Sequence, residues 1–189
     1  FEAKITGFEK LGLGATANTV AAAVNLSEFD DISYVISAGT GTTAALGLSK
    51  MANNGTLELT GALLSAVTVT MTDATGTADT FNIVTKVDTL SDTTSTGAVV
   101  VAGVETINVT ATDISPVNTT TGVATIQEAK LILTAADAKI VNVKGNSDID
   151  LSTGTATSHA NLKTVDASSM TGALTYTIKS SVADFALTS

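Results

Sequence analysis

Strict alternation of apolar and polar residues over four to six positions most limits what this chain can fold into. Thr56-Leu57-Glu58-Leu59-Thr60, Val67-Thr68-Val69-Thr70-Met71 and Thr106-Ile107-Asn108-Val109-Thr110 all show it, and Lys139-Ile140-Val141-Asn142-Val143 shows it apart from the adjacent Ile140 and Val141. Asp148-Ile149-Asp150-Leu151-Ser152 and Leu174-Thr175-Tyr176-Thr177-Ile178 show it too. A period of two puts one face of an extended segment indoors and the other in water, the mark of a β-strand. Gly, Asn, Asp and Ser clusters such as Asn53-Asn54-Gly55, Gly145-Asn146-Ser147 and Thr171-Gly172 cut the pattern into short lengths. The single proline, Pro116, falls in a Ser/Asn/Thr loop.

The strands also recur in larger blocks. Ile5-Thr6-Gly7-Phe8-Glu9 reads again as Val101-Ala102-Gly103-Val104-Glu105, with Gly and Glu both at an offset of 96 residues. Two related units are expected, 1–90 and 98–189, with the Thr/Ser/Asp segment 88–97 as their joint. Two all-β architectures satisfy the pattern. In a β-solenoid, or parallel β-helix, short strands stack rung upon rung. In two tandem immunoglobulin-like β-sandwiches, each unit folds into two facing sheets. The repeat length favours the sandwich, and composition favours the solenoid. Aromatics are 4% of the chain and tryptophan is absent, while Ala and Thr supply about a third of it. Small and β-branched side chains suit thin layers that repeat closely, not a thick core built around rings.

Eighteen acidic against nine basic residues, all of the latter lysine, leave a net charge of −9. Nucleic acid and anionic lipid need clustered bases, so neither is expected as a partner. No apolar run approaches the roughly 18 residues of a spanning helix, so membrane insertion is not expected. Without cysteine, disulfides and thiolate metal sites are impossible. The chain begins at Phe1 without a leader and stops within a strand-rich pattern, and so reads as a piece of something longer.

Two stretches read as short helices: Thr42 to Met51, rich in Ala and Leu, and Ala124 to Ala129. Gly39-Thr40-Gly41-Thr42-Thr43-Ala44 imitates a dinucleotide-binding turn, but the chain shows no βαβ alternation around it. His159, the one histidine, has no second histidine or thiol to join it and reads as a solvated loop residue. No Gly-x-Ser-x-Gly or Ser-x-x-Lys hydrolase pattern is present, so no catalytic residue is expected. The carboxylates carry more chemistry. Asp73 and Asp79 flank a glycine turn after a strand, where a hard cation such as calcium can collect carboxylate and carbonyl oxygens. Asp148 and Asp150 share a strand face. Asp113, Asp166 and Asp184 each sit where a strand gives way to a turn, and the same position lets an aspartate cap its own backbone. Glu9 and Glu105, equivalent in the repeat, suit either a strand residue pointing outward or a carboxylate that ties down a turn.

Phe8-Glu9-x-Leu11, Val104-Glu105-Thr106-Ile107-Asn108-Val109, Thr72 to Asp79 and Leu162-Lys163-Thr164-Val165-Asp166-Ala167-Ser168 together resemble bacterial surface-layer proteins. The resemblance is to the cysteine-free, Thr/Ala-rich, calcium-dependent kind exported by type I secretion. It implies a non-enzymatic subunit of a cell-surface lattice, with copies of itself as partners and calcium as the expected cation. It also implies anchoring on lipopolysaccharide through another part of the full-length protein. The chain departs from that family in lacking nonapeptide calcium repeats. A second class is the stalk or binding module of a secreted calcium-dependent adhesin. A third, a polysaccharide lyase on a β-helix, would need a basic and acidic cluster that the sequence lacks.

Overall fold

The computed structural model describes residues 9–15, 23–29, 32–88, 93–115, 126–153, 159–177 and 186–188. Strands alternate between two sheets in strict order. One sheet takes the odd members: β1 (Lys10–Leu13), β3 (Tyr34–Ser37), β5 (Thr56–Leu59), β7 (Thr80–Val87), β9 (Thr106–Asp113), β11 (Ile140–Gly145), β13 (Thr164–Met170) and β15 (Ala186–Thr188). The other takes the even members: β2 (Ala23–Asn25), β4 (Leu46–Met51), β6 (Val67–Met71), β8 (Thr93–Ala102), β10 (Glu128–Thr134), β12 (Asp148–Thr153) and β14 (Leu174–Thr177). Every ladder among these residues is parallel. Each turn of chain therefore lays one strand on each sheet and climbs one rung, about 4.8 Å. This is a β-solenoid, and the antiparallel pairing of immunoglobulin-like sandwiches is not its plan.

The alternation follows from that plan. Most parallel sheets are covered on both faces and read as unbroken apolar runs. Here each sheet is covered only by the other, so every second residue turns to the core. Val35, Leu57, Ile83, Val109 and Val143 stack in register along the odd sheet, all at most 1% exposed. Leu46, Val67, Val99 and Leu133 form a matching column on the even sheet. Each buried Val or Leu contributes about 1.5–3 kcal/mol. Phe81 is the one aromatic ring among the largest fully buried side chains, as a thin core requires.

The 96-residue offset spans four rungs. Following the ladder from Lys10 through Tyr34, Thr56 and Asn82 leads to Asn108, two places beyond the residue that the sequence repeat pairs with Lys10. A slip of two keeps the same face. Of the segment 88–97, residues 89–92 lie outside the described residues, and Thr93–Gly97 belong to β8, which is laddered to β6 and β10.

The expected helix from Thr42 to Met51 is corrected: its second half is β4. Leu46, Leu48 and Met51 are buried, and β2 and β6 ladder it on either side, so tertiary neighbours override the helical preference of Ala and Leu. Of the second expected helix, 124–125 lie outside the described residues and Glu128 onward is β10. Gly39–Ala44 leads into β4 rather than a helix, which ends its likeness to a nucleotide-binding turn. The corners explain the Ser and Thr. Thr40 Oγ1 donates to the Ser65 carbonyl at 2.7 Å and accepts from Ser65 N at 2.8 Å. Leu63 N donates to Ser95 Oγ at 3.0 Å, and Ser147 Oγ donates to the Gln127 carbonyl at 2.7 Å. Short hydroxyls thereby satisfy backbone groups buried where the chain turns.

Candidate functional site

The expected aspartates are spread over the molecule; Asp73, Asp113 and Asp166 are engaged locally, Asp148 and Asp150 with neighbouring rungs. Asp73 is exposed; its Oδ1 accepts from the Thr75 hydroxyl at 2.6 Å and from Thr75 N at 2.9 Å. Those two bonds hold its carboxyl below the ordinary range. Asp113, at the end of β9, accepts from Ser115 N at 2.8 Å and Gln127 N at 3.0 Å. Burial works to raise its pKa, but the bonds from Ser115 and Gln127 outweigh it and the net shift is downward. Asp148 and Asp150 do share the outer face of the even sheet. Asp148 Oδ1 accepts from Ala173 N at 2.6 Å, whereas Asp150 pairs with Lys130 Nζ at 3.3 Å. Asp166 Oδ1 accepts from Ser168 N at 2.9 Å, which lowers its carboxyl. Asp184 lies outside the described residues.

Asp79 differs from the rest. It is 7% exposed, and its Oδ2 is buried without a hydrogen-bond partner among the described residues. The carboxylate lies against Gly76 so closely that a Cβ there would fall 2.2 Å from Oδ2. One rung on, Glu105 Oε2 accepts from Asp79 N at 3.0 Å, and Glu105 Oε1 stands 3.9 Å from Lys139 Nζ. Glu105 thus ties down the turn that carries Asp79. Among the described residues, no three His, Cys, Asp or Glu side chains gather where they could hold a metal.

The solvated reading of His159 is corrected. The residue is fully buried, stacked on Tyr176 at 6.3 Å between centroids, with Nδ1 2.8 Å from the Tyr176 hydroxyl. Burial depresses its pKa to about 4 and raises that of Tyr176. His159 is buried at the last rungs while Ala160 and Asn161 beside it stay exposed, which a polar neighbour such as Asn161 gave no reason to expect.

The most developed polar surface was not anticipated. On the outer face of the odd sheet the ladder aligns Lys10, Tyr34, Thr56, Asn82, Asn108, Asn142 and Asp166 in one column. Three consecutive rungs of it carry asparagine. Asn142 Nδ2 donates to Asn108 Oδ1 at 2.9 Å, and Asn108 Nδ2 donates to Asn82 Oδ1 at 2.9 Å. Asn82 Nδ2 closes the chain on the Asn54 carbonyl at 2.8 Å. Beyond Asn142 the register of β11 on β13 shifts, so that Lys144 stands beside Ser169. An open cavity of about 410 Å³ lies there, lined by Asn82, Asn108, Asn142, Lys144, Asp166 and Ser169 among others. The sequence does carry a signal: Phe81-Asn82-Ile83, Ile107-Asn108-Val109 and Val141-Asn142-Val143 each set an asparagine between two inward residues.

At the other end of the column the polar groups close on one another. Tyr34 donates its hydroxyl to Glu58 Oε2, Lys86 Nζ pairs with Glu58 Oε1 at 2.8 Å, and Lys10 Nζ sits 4.3 Å above the Tyr34 ring. Burial works to raise the Glu58 carboxyl, but the bonds from Lys86 and Tyr34 outweigh it and hold it below its ordinary value. Burial first, then Glu58, pushes the Tyr34 hydroxyl up to about 12.

Comparison of the chain with protein-family models, with curated proteins and with solved structures finds no match.

Proposed function

We propose that this chain is a structural, non-enzymatic segment of a secreted bacterial surface-layer protein that self-assembles into a cell-surface lattice with calcium. The observation that supports this most is the continuous stack of rungs. Parallel rungs sharing one thin core make a stiff unit whose side faces repeat at a fixed step, and many weak contacts between such units add by avidity. The resemblance in Thr72 to Asp79 and Leu162 to Ser168 points the same way. Among the expected aspartates, Asp79 is the one that would hold calcium. A buried carboxylate oxygen with no donor is costly, and a hard cation bound there would supply the missing positive charge.

The test is electron microscopy of the full-length protein with calcium and after chelation, alongside its melting temperature. Ordered sheets with calcium, dispersed by chelator and with a lower melting temperature, are the expected result. Arrays and melting unchanged in chelator would overturn the calcium part, and no arrays under any condition would overturn the lattice. The polar cavity favours a second reading, the stalk or binding module of a secreted calcium-dependent adhesin. Such a protein would stay monomeric and bind a foreign ligand.

A further inference from the structure

The geometry points to a binding site for a linear neutral glycan along the asparagine column of the odd sheet. The inference rests on the fold alone and not on the lattice reading.

Three features of the site select the ligand. The first is its chemistry. Each amide has two N–H donors and an oxygen with two acceptor positions, and the column consumes only part of that capacity. Asn108 spends one donor on Asn82 and one acceptor position on Asn142, and Asn142 Oδ1 takes no hydrogen bond from the described residues. What remains is a row of paired donors and acceptors, which matches hydroxyl groups.

Charge is the second feature. Among the described residues, Lys144 and Asp166 are the charged side chains lining the cavity, and they balance. A polyanion would face the Asp166 carboxylate and a cation the Lys144 ammonium, so a neutral ligand is favoured. The third feature is spacing. The amides repeat at one rung, about 4.8 Å, in a straight line set by the ladder. A linear polysaccharide presents equivalent hydroxyls at a regular step, so several weak contacts can be made at once. The register shift between β11 and β13 opens the column into the cavity, of a size usual for small-ligand sites. Because the intramolecular chain of amides already fixes their orientation, little ordering remains to be done on binding.

The test is calorimetry on the full 189-residue chain with linear hexaoses of β-1,4-glucose, β-1,4-N-acetylglucosamine and α-1,4-glucose. Polygalacturonate serves as the anionic probe. At least one neutral hexaose should bind with little dependence on salt and more tightly than polygalacturonate. Asn142→Ala and Ser169→Ala should each weaken it by about tenfold, a loss of about 1.4 kcal/mol, while circular dichroism stays unchanged. Should Asn142→Ala perturb the fold, Ser169→Ala and Lys144→Ala at the rim carry the decision. Absence of binding by all three hexaoses, tighter binding of polygalacturonate, or affinity unmoved by the rim variants would overturn the proposal.

Discussion

The two ends of one outward column put polar residues to opposite uses. At Tyr34, the neighbouring rungs bring a phenol, a carboxylate and two ammonium groups together, and each answers another. Glu58 is 4% exposed although it sits on the outer face, because Tyr34 and Lys86 close over it. At Asn142, the same sheet bulges, and the amides, Lys144 and Ser169 line an open cavity instead. Strand pairing is parallel and the outward face is shared, so the difference lies in side chains and one register shift. A closed cluster stabilises the rod; an open one leaves hydrogen-bonding capacity for a partner.

The largest effect is expected where the open end depends on a residue without a side chain. Gly145 ends β11 with φ at +129°, and a Cβ there would fall 1.8 Å from the Ala111 carbonyl oxygen on β9. The backbone cannot move away without tearing the β9–β11 ladder. Gly145→Ala should cost on the order of 3 kcal/mol, read as a shift in urea midpoint. Gly12 is the matched control at the closed end: a Cβ there meets nothing within 4 Å. Gly12→Ala should change stability by no more than about 0.5 kcal/mol. Equal effects at the two glycines would mean that the rungs are not packed as described.

The closed cluster should show itself in pH as well as in energy. Glu58→Ala leaves the Tyr34 hydroxyl and Lys86 without their acceptor and should cost about 2 kcal/mol, since both can still reach water. The folded-state pKa of Glu58 is depressed, so its contribution is full above the ordinary carboxyl value of 4.5. It is lost as pH falls from there through the folded value. Tyr34 has the opposite sign. Its pKa is raised from 10.0 to about 12, so its contribution is full below 10 and lost as pH climbs through about 12. Stability measured against pH should flatten on the acid side in Glu58→Gln and on the alkaline side in Tyr34→Phe. An acid limb unchanged by Glu58→Gln would show that the cluster does not hold its charge.

Much of this was legible in the chain, and the rest was hidden for physical reasons. Val67-Thr68-Val69-Thr70-Met71 announces a half-buried strand because an inward residue must be apolar whichever strand it faces. The scarcity of aromatics announces a thin core. The rung itself was obscured because turns vary: the partner of Glu128 is Asp148, 20 residues on, whereas the partner of Thr93 is Ala129, 36 on. No single period survives that variation, so only a sum over four rungs stood out. The asparagine column needs the register, since Asn82, Asn108 and Asn142 lie 26 and 34 residues apart. Asp73, Asp113 and Asp166 show that an aspartate at a strand end most simply caps its own turn. Local sequence cannot tell such a residue from Asp79, whose carboxylate is buried against Gly76.

A small effect is expected on the opposite face, and it calibrates the closed cluster. Lys130 and Asp150 form the same kind of pair as Lys86 and Glu58, but at 3.3 Å instead of 2.8 Å, with the carboxylate side chain 23% exposed instead of 6%. Water screens the looser pair and both side chains keep much of their freedom, so Lys130→Ala should cost less than about 1 kcal/mol. In a double-mutant cycle the coupling between Lys130 and Asp150 should fall below that between Lys86 and Glu58, and raising salt should erase it first. Equal coupling in the two pairs would mean that burial of Glu58 adds nothing. The contrast between closed and open polar surface would then have to be sought in geometry alone.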